Sequence, residues 1–478
     1  MKKTICMILA ATTVVSMCAC SKNTAKDDET ERLTWYINSN PLNDLSLVNE
    51  KVNEITKEKL NVNVDLKLID DGSFSERLRM YMATGEKFDL CFTGYVNNYL
   101  TAVKNGAFLE LDELVEKEAP KLLKIVPDYA IKASLVDEKL YAIPNMQSQA
   151  LIPGLYLEKG IAEKYGLDKI DRVNSAAELE PYFEKMLKDY PNMYPVNSFF
   201  YDDILSNKYQ TINDYAVVDK NDPEHKVQYY FDLPEYEEYL QRANDWYKKG
   251  YVRVDYTTAR DNMQADMKAG KYCGTFSSYA PGGIQNYENS YNRKVHFIAC
   301  AETYMPATHI LDAMTAVSAT SQNPKKAIKL LELVNTDEGV LNLMQYGIEG
   351  KHYEKINDTY IKQTNRDAYF LNAWKFGNTL EGYLLEGTPE NYVEETKKLN
   401  DESEKPVFLG YNVDTDPIKN EIAQCEAVRK EYDSGSLQAT SDYRPVLAEL
   451  RSRLKEAGVD KIISEIQNQL DEWWKNNK

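Results

Sequence analysis

After residue 31, the spacing of the hydrophobic positions alternates between that of a strand and that of a helix. Apolar and polar residues alternate over 62–68, as in a half-buried strand, whereas apolar residues over 45–55 recur at helical spacing. The pattern predicts, in order, a strand at 33–37, a helix at 45–55, a strand at 62–68, a helix at 74–83 and a strand at 88–92. This order is typical of an open, largely parallel sheet, whose ligands bind beyond the carboxyl ends of its strands.

The later part of the chain contains further elements and no fixed-period repeat. Helices are predicted at 176–188, 234–249, 324–334, 338–346, 445–454 and 459–474, and strands at 272–276, 295–301 and 313–318. Ser73 and Glu76 predict a capping box, Pro324 occupies the first position of its helix, and Asp337 caps the next helix. Trp473 and Trp474 are assigned to docking of the last helix.

Charge and composition exclude several classes of partner. The 478 residues include 57 Lys and Arg against 75 Asp and Glu, which gives a net charge of −18. Binding to nucleic acid, or to anionic lipid through basic residues, needs an excess of positive charge, so the composition argues against both. The 35 tyrosines, against 13 Phe and 5 Trp, favour wet clefts and interfaces, since tyrosine combines an apolar face with a polar tip.

Residues 1–19 are interpreted as a secretory signal peptide. Two lysines precede an apolar run, 5–15, that is too short to span a bilayer, and no later segment has 18 consecutive apolar residues. Ala19-Cys20 resembles the lipobox of bacterial lipoproteins, although Met17-Cys18 departs from that pattern. The resemblance implies acylation of Cys20, and the polar composition of 20–31 predicts a flexible tether. An ordinary secretory signal is the alternative.

No catalytic or metal-binding template is present in the sequence. The GxSxG, GxxxxGK[ST], HExxH and GxGxxG motifs are all missing. The four histidines are scattered, and His352 is expected to be structural. Asp414-Thr-Asp416 lacks the glycine and glutamate of a calcium loop. Four widely spaced cysteines follow Cys20, and Cys91 and Cys300 are expected in the core. We expect neither enzyme activity nor a cofactor or metal.

Several short segments together resemble the extracellular solute-binding lipoproteins of ABC importers, in particular the LipO-type subgroup of the sugar-binding family 1 proteins. They include Leu33-Thr-Trp-Tyr36, Phe88 to Phe92, Gly106 to Leu109, Leu140 to Pro144, Gly270-Lys271 with Phe276 to Tyr279, Asn323 to Ala327, Tyr346 to Tyr353 and Trp374 to Asn378. Each segment is short, but their order covers essentially the whole mature chain, including a C-terminal extension.

The resemblance implies an α/β, two-lobed fold of the type II periplasmic-binding-protein class. Its lobes would be discontinuous, with crossings near 143–144, 300–303 and 315–319 and a helical C-terminal extension. Lobe one would comprise 32–143 plus 302–316, and lobe two 144–301 plus 317–478. Several strands at one hinge allow rigid-body closure around a ligand.

A sugar site needs aromatic rings for the C–H faces of the ligand and amide or carboxylate groups for its hydroxyls. Such groups are expected on loops that face the cleft between the lobes. The candidates are Tyr36, Tyr95, Asn97, Asn98, Asn145, Gln147, Tyr279, Asp312 and Trp374. Strand alternation places one of Trp35 and Tyr36 in the core, and we assign the cleft to Tyr36.

The leading hypothesis is a lipid-anchored receptor at the outer face of the cytoplasmic membrane. It would capture a small polar solute, expected to be an oligosaccharide, and deliver it unchanged to the permease subunits of an ABC importer. A peptide or other polar solute is the alternative cargo. A surface glycan-processing enzyme and a lipid-anchored sensor or adhesin are further alternatives.

Overall fold

Two mixed sheets, each covered by helices, make up most of the molecule. The computed structural model describes residues 30–94, 99–258, 263–432, 437–440 and 442–477. The predicted signal peptide, Cys20, Tyr95, Asn97 and Asn98 lie outside the described residues. The strands are β1 Glu31–Asn38, β2 Val62–Ile69, β3 Leu90–Gly94, β4 Leu135–Val136, β5 Lys139–Leu140, β6 Ala142–Pro144, β7 Ile152–Glu158, β8 Tyr194–Val196, β9 Tyr209–Thr211, β10 Ala216–Asp219, β11 Val227–Tyr229, β12 Tyr272–Tyr279, β13 Val295–Ala299, β14 Ala313–Val317, β15 Tyr353–Lys355, β16 Tyr360–Gln363 and β17 Leu384–Leu385.

The helices are distributed along the whole described chain, and the last three follow one another without an intervening strand. They are α1 Leu45–Leu60, α2 Phe74–Thr84, α3 Tyr99–Lys104, α4 Asp112–Glu118, α5 Leu122–Ile125, α6 Asp128–Ser134, α7 Lys159–Tyr165, α8 Glu180–Asp189, α9 Pro234–Lys249, α10 Met263–Lys268, α11 Gly283–Tyr291, α12 Ala307–Leu311, α13 Pro324–Thr336, α14 Glu338–Tyr346, α15 Tyr392–Glu402, α16 Lys419–Glu431, α17 Tyr443–Glu456 and α18 Val459–Asn476. Among the described residues, no helix is long and apolar enough to cross a membrane.

The sheet of lobe one has five strands in the order β2-β1-β3-β14-β6. β1 runs parallel to β2 and β3, and β14 runs antiparallel to β3 and β6. The carboxyl ends of β1, β2, β3 and β6 therefore meet at one edge, together with the start of β14. Helices cover both faces, which is why Trp35 and Tyr36 are both buried, in the cores on opposite faces of β1.

The second large sheet, in lobe two, has four strands in the order β13-β7-β12-β8. β7 runs antiparallel to β12 and β13, and β12 runs parallel to β8. Since β7 enters from lobe one, β8, β12 and β13 all end on the side where the chain crosses between the lobes. Their final residues therefore face the same region as the carboxyl-end edge of the first sheet.

Two crossings lie close to their predicted positions. The chain leaves the first sheet after Pro144 and enters the second at Ile152, and it returns between Ala299 and Ala313. The two crossing segments pair with each other, because the backbone amides of Leu151 and Tyr304 each donate to the other's carbonyl oxygen, at 2.9 and 3.0 Å. The two segments that join the sheets are therefore hydrogen-bonded to each other, and the prediction that they act as a hinge rests on this pairing.

The third crossing differs from the one predicted near 315–319. β14 runs through that segment inside the first sheet, and α13 and α14 then pack in the core of lobe one against α1. The physical reason is the apolar stripe of α13, which includes Leu330, Leu331 and Val334 and covers one face of the first sheet. Residues 324–376 therefore belong to lobe one, although the sequence division assigned 317–478 to lobe two.

The chain passes to lobe two between residues 403 and 412. Phe408 and Tyr411 pack in the core of lobe two, whereas Leu409, between them, packs in the core of lobe one. Just beyond, Lys104 Nζ of α3 lies 2.6 Å from the Asp414 carboxylate. Residues 407–475, the C-terminal extension, thus start at the hinge and pack mainly on lobe two.

Local details agree with the sequence analysis in most places. The four cysteines after Cys20 are buried, and Asp337 caps α14 by accepting from the Val340 amide at 3.1 Å. Ser73 precedes α2, but its side chain makes no capping hydrogen bond, so the predicted capping box does not form. Gly85, with a φ of 69°, ends α2 in a left-handed conformation.

Candidate functional site

The polar centre of the crossing region is Asn145, the first residue after β6. Its backbone amide donates to the Ala313 carbonyl at 2.9 Å, which continues the pairing of β6 with β14. Its side chain is 2% exposed, accepts a hydrogen bond from Thr315 Oγ1 at 3.1 Å and donates to the Trp374 carbonyl at 3.0 Å. The predicted residues Asn145 and Trp374 are therefore brought together, 229 positions apart in sequence.

Trp374 is held beside the carboxyl ends of the lobe-one strands. Its half-buried ring makes an edge contact with Phe92 of β3, with centroids 5.8 Å apart. The Lys375 ammonium lies 5.1 Å from the same ring and 3.0 Å from the Asp71 carboxylate, which follows β2. The aromatic face thus lies next to the ends of β2, β3 and β6, as a stacking surface for a sugar requires.

On lobe two, Tyr279 ends β12 at the crossing side. Its half-buried ring stacks on Phe297 of β13 at 5.0 Å, and burial raises the pKa of its hydroxyl, with a further contribution from Glu395. Gly282 follows with a φ of 77°, and a Cβ there would lie 3.2 Å from the Tyr392 ring. Glycine at this position lets the lobe-two loop approach α15 closely.

Hydrogen bonds tie the first crossing to residues 379–400. Thr379 donates from both its amide, at 2.8 Å, and its hydroxyl, at 3.1 Å, to the Met146 carbonyl. Asn400 of α15 accepts from the amides of Gln149 and Ala150 at 2.8 and 3.1 Å and donates to the Gln147 carbonyl at 2.8 Å. The first crossing is therefore clamped by residues from 379–400, and Gln147 lies within the clamp.

The structure separates Tyr36 from this group. Tyr36 is 8% exposed, its ring packs between Tyr81 and Phe88, and its hydroxyl donates to Glu86 at 3.0 Å. The assignment of Tyr36 to the cleft does not fit this position, because α2 covers the face of β1 on which it lies.

Asp312 lies at the start of β14, on the crossing edge. Its backbone approaches Gly94 so closely that a Cβ on Gly94, where φ is 129°, would lie 2.4 Å from the Asp312 carbonyl oxygen. Burial raises the pKa of the Asp312 carboxyl, and the charge of His309 acts in the opposite direction. Asp312 remains a candidate at this edge, and the candidates Tyr95, Asn97 and Asn98 lie outside the described residues.

Sequence reasoning missed four residues of this region: Lys375, Thr379, Tyr392 and Asn400. Lys375 and Thr379 lie in or next to the Trp374–Asn378 segment that the sequence analysis singled out, so that segment was a usable signal. Tyr392 and Asn400 carry no local signal, because their roles depend on contacts with residues about 110 and 250 positions away.

Among the described residues, no group of three or more His, Cys, Asp or Glu side chains could hold a metal ion. His352 is fully buried, its Nδ1 accepts from the Ile348 amide at 2.9 Å, and its Nε2 lies 3.0 Å from the Asp44 carboxylate. It joins the start of α1 to the loop after α14.

Comparison with known proteins gives two family matches. The model described as bacterial extracellular solute-binding protein matches residues 39–340, and a domain of unknown function, DUF3502, matches residues 407–475. A curated relative from Streptococcus pneumoniae, named carbohydrate ABC transporter substrate-binding protein, is 26% identical over 96% of this chain and 94% of its own length.

Solved structures match over nearly the whole chain. The N-glycan transport solute-binding protein NgtS of Streptococcus pneumoniae is 24% identical, with a TM-score of 0.84 over 94% of this chain and all of its own. Its complex with Man5GlcNAc matches with 25% identity and a TM-score of 0.70, over 94% and 99% of the two chains. A solute-binding protein of Bifidobacterium longum infantis, described as binding HMO, has 13% identity and a TM-score of 0.67, over 93% and 99%.

Proposed function

Because the chain belongs to the bacterial extracellular solute-binding protein family, we propose that it is the oligosaccharide-binding component of an ABC importer. The observation that carries this proposal is the position of Trp374. A half-buried aromatic ring lies at the hinge-facing edge of lobe one, anchored through its carbonyl to the buried amide of Asn145. Tyr279 lies at the matching edge of lobe two.

The side chains of the crossing region favour a neutral sugar as the ligand. Aromatic rings cover the C–H faces of a sugar, and amide groups such as that of Gln147 bond its hydroxyls. A peptide would instead require free charges for its two termini. The Lys375 ammonium at this edge is already paired with Asp71, at 3.0 Å. The names of the relatives, which include carbohydrate, N-glycan and HMO binding, support the same ligand class.

We infer that binding closes the lobes around the sugar and that release leaves the sugar unchanged. The paired crossings at Leu151 and Tyr304, with the third crossing at 403–412, provide several connections about which two rigid lobes can turn. The permease subunits would recognise the closed form. No covalent step is assigned to any residue.

Delivery requires the protein to stay near its permease outside the cell. We propose that Cys20 is acylated, that residues 1–19 are removed as a signal peptide and that residues 20–31 form the tether. The protein would then lie at the outer face of the cytoplasmic membrane, where family members capture extracellular solutes. Radiolabelled palmitate incorporation into the wild type, and its loss in Cys20→Ser, tests the anchor separately from binding.

Isothermal titration of the chain from residue 21 onward tests the ligand class. The panel contains neutral oligosaccharides, including Man1GlcNAc and Man5GlcNAc, and peptides of similar size. We expect saturable binding of at least one oligosaccharide and none of the peptides. Binding of peptides alone would overturn the carbohydrate assignment. Chromatography of the recovered glycan is expected to show no cleavage, and release of smaller sugars would indicate an enzyme.

A further inference from the structure

Lobe two contains a second aromatic cavity that none of the sequence candidates lines. It has a volume of about 920 Å³, within the 300–1,000 Å³ range of small-molecule sites. Six of its lining residues are tyrosines: Tyr201, Tyr230, Tyr236, Tyr239, Tyr256 and Tyr432. We call it the tyrosine cavity. Tyr236, Tyr239 and Tyr256 are buried in the wall, whereas Tyr201 is exposed, so its ring offers the apolar face and polar tip that can pack on a sugar ring.

One wall of the tyrosine cavity comes from the C-terminal extension. α16 and α17, with the segment between them, contribute Tyr432, Gln438 and Leu450, while α9 and the segment after β8 form the opposite wall. The two walls are joined by Gln438, whose Nε2 donates to the Tyr239 hydroxyl at 3.0 Å. The cavity would therefore be open on one side without the extension.

Gln438 also points to a ligand. Its side chain is 8% exposed, and its Oε1 has no hydrogen-bond partner among the described residues. A buried amide oxygen without a partner is unfavourable, because it has lost its hydration without compensation. This oxygen is itself inaccessible to solvent, so a ligand hydroxyl would supply the missing donor once the Gln438 amide turns toward the cavity that it lines.

The charges that line the cavity favour an uncharged ligand. Arg429 pairs with Asp214 at 2.6 Å, and Lys430 pairs with Glu426 at 3.1 Å. Two cations and two carboxylates thus neutralise each other, so no charge remains for an acidic or basic ligand. Hydroxyl groups and C–H faces are the chemistry that this lining can recognise.

The tyrosine cavity lies next to the hinge. Tyr201, whose side chain is 43% exposed, follows β8 on the crossing side of the second sheet. Its neighbour Asp202 interacts with Tyr304, the residue that pairs with Leu151 across the two crossings. Asp202 and Tyr304 therefore connect the segment that holds Tyr201 to the paired crossings.

From these observations we propose that the tyrosine cavity is a saccharide subsite, completed by the C-terminal extension, for the distal neutral units of a longer oligosaccharide. The inference rests on the proposed function, since it assumes a sugar ligand at the hinge. It assigns a role to the residues of the domain of unknown function that line the cavity, among them Tyr432, Gln438 and Leu450: they select ligand length.

Two variants test the subsite. Tyr201→Ala removes an exposed ring, and Gln438→Leu replaces the amide by an apolar group of similar size. Isothermal titration compares Man5GlcNAc, or the longest panel member that the wild type binds, with the shortest one it binds. We expect both variants to bind the long glycan about five- to tenfold more weakly and the short glycan as the wild type does. Tyr182→Ala, on α8 and outside the cavity, is the matched control and should bind both as the wild type does.

The outcomes separate this inference from the proposed function. If both variants bind the long glycan with wild-type affinity, or if they lose the short glycan equally, the subsite assignment is wrong while the receptor function stands. If the wild type binds no oligosaccharide at all, the proposed function itself fails. Circular dichroism and thermal unfolding of each variant establish that the fold is retained before affinities are compared.

Discussion

The Asn145 side chain donates to the backbone carbonyl of Trp374 across 3.0 Å, joining the first crossing to a segment 229 residues later. Because the same side chain also accepts from Thr315, three separate parts of the chain meet at one buried amide. The aromatic surface proposed for sugar binding is therefore positioned by the hinge itself. A change at the hinge would move the tryptophan, and a ligand on the tryptophan would in turn act on the hinge.

Replacing Trp374 tests the stacking surface. Trp374→Ala is expected to weaken oligosaccharide binding at least tenfold, a loss of about 1.4 kcal/mol, since the exposed part of the ring would no longer cover a sugar face. Trp374→Phe should retain part of the affinity. Isothermal titration measures both. Trp474→Ala, whose ring packs on His225 at the far end of the chain, is the control, and equal losses in the two alanine variants would refute a specific role for Trp374.

Removing the buried amide at position 145 tests the hinge anchor. Asn145→Leu leaves the Thr315 hydroxyl and the Trp374 carbonyl without their partner, so we expect a loss of about 1–3 kcal/mol in the free energy of unfolding. Glycan affinity should fall as well, because Trp374 is no longer held. Thr315→Val removes only one of the two contacts and should affect binding less. Urea denaturation and isothermal titration of both variants measure the losses in stability and in glycan affinity. A larger effect of Thr315→Val than of Asn145→Leu would contradict the role of Asn145 as the anchor.

The clamp on the first crossing can be removed by Asn400→Ala. This substitution leaves the buried amides of Gln149 and Ala150 unpaired, and we expect a destabilisation of about 1–3 kcal/mol by urea denaturation. The comparison is Asn391→Ala, at the opposite end of the same helix, where the side chain is exposed and donates to Glu395. Its free energy of unfolding should change by less than about 0.5 kcal/mol. Equal effects would mean that Asn400 does not clamp the crossing.

Asp202 makes stability depend on pH. Burial raises the pKa of its carboxyl to about 6, although hydrogen bonds from Ser206 and Tyr304 act against this and the charge of Asp203 adds to it. Because the folded-state pKa lies above the unfolded value, the folded protein retains the proton more strongly. The contribution to stability is present below the unfolded pKa and is lost as pH rises through about 6.

We therefore expect Asp202→Asn to flatten the dependence of stability on pH. Between pH 5 and pH 7.5 the wild type should lose about 1 kcal/mol of unfolding free energy that the variant keeps. Urea denaturation at the two pH values measures the difference. A wild type and a variant with the same dependence would show that the carboxyl ionises as freely in the folded protein as in the unfolded chain.

Elements that depend on local pattern could be predicted from the sequence. The helix Pro234–Lys249 has the predicted bounds, and the strand Val62–Ile69 extends the predicted one by a single residue, because side-chain periodicity reports directly which face is buried. The helix cap at Asp337 could also be predicted, because it depends only on residues that are close in sequence. At Ser73 the residue types suit a capping box, but the side chain takes no capping position.

Features that depend on long-range packing could not be predicted. The apolar stripe of α13 shows that one face is buried, yet nothing in it says which lobe covers that face. The alternation of side chains along β1 predicts that Trp35 and Tyr36 lie on opposite faces. It does not show that helices cover both of those faces. Asn400 and Gln438 look like ordinary polar residues until the segments they contact, about 250 and 200 positions away, are placed beside them.

The pairing of Lys104 with Asp414 has a mechanical consequence. Asp414 follows the third crossing by only two residues, so it lies near the pivot, and rotation of the lobes carries it along a short arc. Atoms at the rims of the lobes travel much farther for the same angle. The ion pair can therefore persist when the lobes rotate by a small angle and separate only when they rotate by a large one. It would allow small changes in the angle between the lobes but oppose their full opening.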